Sequence, residues 1–269
     1  MASTNPLPAF SFRHALAWTL FTSAALAFVL ALLGTLAPRV GRSLVVGGLI
    51  ETVIYGVGAV VLLGSRGTAA ERLRVLGFSA APPWLLLAAL ALGVTIHGPA
   101  DQLAALMDRL FPTPEAVLRA QLQQLAPPTF AGRFGIFVLA ALLVPVVEET
   151  FFRGAMFARL RLPGSRRAAL AITGFCFVIC HAEPRLWPPL ALVSGALSVV
   201  RAVGRGLWPC FLLHASFNAT TLALAFSRAP EAPILRQPSL AFVAAGTLLS
   251  LGLVLFVLRH VDMERREFA

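Results

Sequence analysis

Long apolar runs broken by polar joints set the pattern of this chain. Eight runs stand out, at 14–37, 43–63, 82–97, 135–158, 168–181, 188–203, 207–226 and 240–258. Several approach the ~20 residues a helix needs to cross a bilayer. The third, fifth and sixth are shorter and require tilt or buried neighbours. None shows the alternation of an outer-membrane barrel. The pattern therefore predicts an all-α polytopic membrane protein of about eight transmembrane helices, a single integral membrane domain over 1–269. The first run has too long an apolar core, and no A-x-A-like stop, to read as a cleavable signal peptide. No internal repeat or low-complexity tract interrupts the series.

Most joints are short and rich in Arg, Gly or Pro. One, at 98–131, is long. Within it Leu103, Leu106, Met107 and Leu110 face one way, with Asp101, Asp108 and Arg109 elsewhere. This predicts an interfacial amphipathic loop on the membrane surface. A lid over a site is the alternative.

Composition sharpens this. The chain is 58% hydrophobic and 13% charged, with a mean hydropathy of +0.82. Soluble domains are about 45–50% apolar and about 25% charged. A soluble enzyme, a disordered regulator and a fibrous repeat are excluded. All 22 basic residues are Arg, and the net charge is +10. They sit at the ends of runs, where they snorkel and set orientation, and no basic stripe interleaves with aromatics. Nucleic acid is therefore not expected as a partner; the lipid bilayer is. With the N-terminus in the cytoplasm, 13 Arg fall on that side, Arg66, Arg161, Arg201 and Arg205 among them. Eight fall on the other, including Arg42, Arg228 and Arg236. The expected location is the cell membrane, multi-pass, with both termini cytoplasmic. Cys176, Cys180 and Cys210 lie inside apolar runs, and an odd count argues against a disulfide framework.

Arg153 belongs to neither count, because it lies within a run. The fourth run carries Glu148, Glu149 and Arg153 in an otherwise apolar helix. Each costs on the order of 2–4 kcal/mol at a helix centre, so they must face a polar interior. Glu149 and Arg153 are spaced i,i+4 and can pair. Glu148 is turned about 100° away, a spare carboxylate suited to acid/base work. A structural salt bridge with an extra Glu is the plainer reading. His181 ends the fifth run, just before Glu183 and Pro184, and alone reads as a core or interfacial residue. His214 and Asn218 are i,i+4 in the seventh run, a spacing that also serves an ordinary interhelical hydrogen bond. Counted from helix ends on one side, Glu148, His181 and His214 lie about 15, 20 and 10 Å deep. Three polar groups can thus meet in one layer, with the active site inside the bundle. Glu51 and Tyr55, i,i+4 in the second run, read as interhelical bonding, with the lining of a substrate cavity as the alternative, and His97 reads as interfacial.

The set Glu148-Glu149-x-x-x-Arg153, then Phe177-x-x-x-His181, then His214-x-x-x-Asn218 resembles the three motifs of the CPBP family. These are the CAAX-protease and bacteriocin-processing (Abi) intramembrane proteases, also called type II CAAX prenyl endopeptidases. Order, spacing and helix placement match, over a catalytic core at 134–226. The resemblance implies that Glu148 and His181 activate a water. It implies that His214 and Asn218 stabilise the oxyanion, with Glu149 and Arg153 as supporting residues. Asn offers an N–H donor and is a poor zinc ligand, which suits that role. No cofactor is expected. A zinc ion on Glu148, His181 and His214 is the alternative, although no H-E-x-x-H motif occurs.

The expected function is an intramembrane endopeptidase acting on a membrane-anchored peptide or protein substrate. Prenylated CAAX proteins are the eukaryotic class. Lys-free, Ala/Leu/Arg-rich usage points instead to a bacterial chain. A bacteriocin or pheromone precursor, or a C-terminal sorting tail, then comes into view. A proton-coupled transporter using the same groups as a relay and a non-catalytic scaffold or immunity protein are the other readings. The lack of paired broken helices counts against the first, and the complete motifs count against the second.

Overall fold

Away from water a backbone must satisfy its own N–H and C=O groups, so apolar runs fold as helices. A computed structural model describes residues 10–41, 43–64, 68–160, 165–204, 206–227 and 238–267. Arg42, Arg66, Arg161, Arg205, Arg228 and Arg236, used above for orientation, lie outside the described residues. The structure is 86% helical, with no strand among the described residues. In chain order come α1 (Phe12–Leu36), α2 (Leu44–Leu63), α3 (Ala69–Leu76), α4 (Pro83–Thr95) and α5 (His97–Leu110). They are followed by α6 (Glu115–Leu125), α7 (Phe130–Arg159) and α8 (Arg166–Ile179). The last three are α9 (Trp187–Gly204), α10 (Trp208–Phe226) and α11 (Leu240–Glu267).

Among the described residues, seven helical stretches are long and apolar enough to cross a membrane. The protein is therefore an all-α, multi-pass membrane protein. All eight apolar runs are helical, but the fifth, α8, has only 14 residues. At 1.5 Å per residue it is about 21 Å long, short of the ~30 Å hydrocarbon layer. The third run reaches full length in another way. Past a turn at Ile96, α4 continues into α5, so Pro83–Leu110 forms one 28-residue stretch. The amphipathic positions 100–110 thus belong to a helix that packs on α9 and α11. Arg185, paired with Glu183, also donates to the Thr113 hydroxyl and so ties the end of that stretch to the start of α9.

The centre of the bundle is α7. Residues 151–157 are buried without exception, among α2, α3 and α8. Tyr55 of α2 packs against the Phe151 and Phe152 rings at 5.1 and 5.5 Å. Large apolar side chains on the perimeter are bare, Phe28 and Leu248 at 68% and 70% exposure. A surface of this kind is matched by hydrocarbon and not by water. His97 departs from the interfacial expectation. It is buried, stacked 4.3 Å from the Phe217 ring, and hydrogen-bonded through Nε2 to the Phe217 carbonyl. The helix turn that follows Ile96 brings it inward against α10. The three cysteines are free thiols.

Helices without a hydrophobic drive between them associate through small residues and close backbones. Gly98 of α5 and Gly246 of α11 meet in this way; a Cβ on Gly98 would lie 2.8 Å from the Gly246 Cα. At Gly93 of α4 a Cβ would lie 2.3 Å from the Leu213 carbonyl oxygen of α10. Gly93→Ala is therefore expected to lower the thermal midpoint in detergent, by the equivalent of roughly 1–3 kcal/mol. Gly56→Ala, at a position with nothing within 4 Å, serves as the control and leaves the midpoint near wild type.

Candidate active site

Two stretches of α7 are wound as π-helix, Val138–Leu143 and Thr150–Met156. Between them lies one stretch of ordinary α-helix, Val144–Glu149, with Glu148 and Glu149 at its end. π-Segments are rare and frequently mark functional sites. Here they rotate the doublet into the bundle, and both carboxyl groups are buried.

Arg153 is fully buried. Its Nη1 donates to Glu149 Oε1 at 3.0 Å, the i,i+4 pairing expected from the spacing. Its Nη2 donates to Ser194 Oγ of α9 at 2.8 Å, and Ser194 donates on to the Gly174 carbonyl of α8 at 3.0 Å. The guanidinium also lies 4.2 Å over the Phe177 ring, a desolvated cation–π contact of the stronger kind. The cation is thus held on three sides. Its Nε and the Glu149 Oε2 remain buried without a protein partner, and such groups cost about 1–3 kcal/mol if left dry.

His214 of α10 bridges the doublet. Its Nδ1 lies 3.0 Å from Glu149 Oε1 and its Nε2 lies 3.6 Å from Glu148 Oε2. An arginine-paired carboxylate only accepts hydrogen bonds, so Nδ1 carries the proton and Nε2 faces Glu148. Glu51 of α2 brings a further carboxyl up to Glu148, and the two interact electrostatically. Tyr55, one turn along α2, faces the Cys180 thiol, which donates to the Phe177 carbonyl at 3.0 Å.

Direct contacts thus gather Glu148, Glu149, Arg153 and His214. His181 stands beside them without a hydrogen bond or ion pair to any of the four. Its Nδ1 donates to the Phe177 carbonyl at 2.9 Å, which leaves Nε2 as its free ring atom. The Phe177 ring is the shared wall, edge-on to His181 at 5.1 Å and to His214 at 5.6 Å. Asn218, one turn beyond His214, donates from Nδ2 to the Ala140 carbonyl of α7 at 2.7 Å. Asn218 and Glu51 line a largely apolar cavity of about 400 Å³ with Leu26, Leu30, Gly47 and Leu139.

No three His, Cys, Asp or Glu side chains among the described residues form a metal-ligating group. Sequence reading passed over Ser194 and placed Arg201 among the orienting arginines. Arg201 is instead buried, and its Nε donates to the Arg153 carbonyl at 3.0 Å. The signal was there: Ser194, Ser198 and Arg201 repeat at i, i+4 and i+7, one polar stripe on an apolar helix. Glu51 lies beside Glu148 and lines the cavity, and Tyr55 packs on the Phe151 and Phe152 rings of α7.

Residues 130–220 match the family of type II CAAX prenyl endopeptidase Rce1-like proteins. The chain carries a domain of that family, and the three motifs lie within it. The match supports, at the level of the family only, a CAAX-type intramembrane endopeptidase. Glu51 and Tyr55 fall outside the matched stretch. No curated protein and no solved structure matches the chain.

Removing one partner of a buried ion pair strands the other. Arg153→Leu is expected to destabilise the protein by about 3–5 kcal/mol, read by thermal unfolding in detergent. Adding Glu149→Gln should recover a large part of that loss. Additive losses in the double variant would show that the pairing does not matter to folding.

Proposed function

We propose that this protein is an intramembrane endopeptidase that hydrolyses a peptide bond of a membrane-anchored peptide or protein. The observation that carries this reading is Glu148. It is a carboxyl buried in a membrane helix, outside the arginine pair and next to a histidine. A group that costs this much in hydrocarbon is a functional residue by default. The cavity supports the reading, since its apolar walls end at Glu51 and Asn218, beside the doublet. A substrate held by a lipid anchor or an apolar segment can lie in such a groove without leaving the bilayer.

In the proposed reaction a water adds to the scissile carbonyl. Glu148 takes the proton from that water, and His181 orients it through Nε2. As the C–N bond of the tetrahedral adduct breaks, Glu148 hands the proton to the leaving amine. The products are a carboxylic acid and an amine, and Glu148 returns to its starting state. His214 is held on Nδ1 by Glu149, so Nε2 is its atom for meeting the substrate oxygen, and it does so as a donor in the imidazolium form, which carries a proton on both nitrogens. In a dry site one such donor contributes several kcal/mol. Glu149 and Arg153 hold His214 in place, as a carboxylate does for a catalytic histidine. The Arg counts support both termini on the cytoplasmic side.

The test is cleavage of a membrane-anchored peptide library by the protein in vesicles. Glu148→Gln, His181→Ala and His214→Ala are each expected to lower kcat by roughly 10²–10⁴-fold. Unchanged cleavage by Glu148→Gln would overturn the assignment. A zinc chelator is included as a separate arm. Loss of activity that zinc restores would move water activation to a metal on these residues. Proton-driven uptake that needs Glu148, with no proteolysis, would make the protein a transporter.

A further inference from the structure

Position 145 of α7 is a proline between the first π-segment and the glutamate doublet. Proline has no N–H to give to a helix. In the π register each N–H reaches five residues back, and Val144 does this, bonding the Leu139 carbonyl. The next carbonyl, that of Ala140, is owed its donor by residue 145. The ladder therefore has a gap at Ala140, in a stretch where water is scarce. Asn218 of α10 fills it, with Nδ2 2.7 Å from that oxygen.

We propose that Asn218 is a positioning residue: its amide replaces the backbone N–H that Pro145 lacks and so holds the turn of α7 that presents Glu148. The second π-segment is secured in the same manner. The Arg153 carbonyl accepts from Arg201 Nε of α9 at 3.0 Å. Two polar side chains from neighbouring helices thus pin α7, one on each side of Glu148 and Glu149. Of the two N–H donors on Nδ2, one is thus engaged with the helix backbone, a role separate from any donation to a reacting oxygen. The effect on Glu148 rests on the hydrolase reading; the bond between Asn218 and Ala140 does not.

A double-mutant cycle separates the roles, because Pro145→Ala returns the missing N–H to α7. Asn218→Ala is expected to lower the thermal midpoint in detergent by roughly 2–4 °C in the Pro145 background. In the Pro145→Ala background the same change should produce less than half that shift. Asn218→Asp keeps the shape, loses both N–H donors, and should follow Asn218→Ala if that variant folds poorly. In vesicles, the fall in kcat caused by Asn218→Ala should likewise shrink at least several-fold when Pro145→Ala is present. Equal shifts of midpoint in the two backgrounds would overturn the proposal. So would a coupled midpoint with an equal loss of kcat in both, which would make Asn218 a donor to the reacting oxygen. If the wild-type protein cleaves nothing, the hydrolase reading fails, and the midpoints still decide what Asn218 does for α7.

Discussion

A guanidinium with no route to water governs the interior of this protein. Arg153 in hydrocarbon must have an anion, further acceptors and a polarisable surface around it. Glu149 supplies the first, Ser194 the second and the Phe177 ring the third. These come from three helices, so the demand of one side chain fixes how α7, α8 and α9 sit together. The neighbours inherit the constraint. Glu149, committed to Arg153, orients His214; His214 then faces Glu148. The group proposed to activate the water is the one the network leaves over.

The geometry of α7 serves the same end. A uniform α-helix offers its face at 100° steps; winding two stretches as π-helix changes where the doublet points. The price is backbone carbonyls out of register, and two of them, those of Ala140 and Arg153, are met by side chains from other helices. The polar residues that accompany the motifs therefore fall into two kinds. Some meet the substrate in the proposed reaction, and others keep the helix that carries it in an unusual shape.

Much of this was legible because the background is apolar. Eight helices could be read from eight runs, and the pairing of Glu149 with Arg153 from a spacing of four. The partners in other helices were not. Glu51 meets Glu148 across 97 positions of chain, a closeness that no periodicity reports. Arg201 was misplaced for a physical reason. Near a helix end, an arginine that snorkels to the interface and one that turns inward to a carbonyl look the same in sequence. His97 was misplaced because Gly98 and Pro99 suggest a break, whereas Pro99 falls in the first turn of α5, where a missing N–H is harmless. The length of α8 was visible as a short run, but not the consequence.

That shortness reaches beyond the protein. A helix about 21 Å long beside a hydrocarbon layer about 30 Å deep creates a hydrophobic mismatch. The surrounding lipid meets it by thinning, or polar headgroups and water move in at its ends. His181 follows the last turn of α8. The mismatch thus falls on one of the residues proposed to handle the water. Bilayer thickness, a property of the lipid composition and not of the chain, becomes a variable in how a hydrolytic water is delivered to the interior of the bundle.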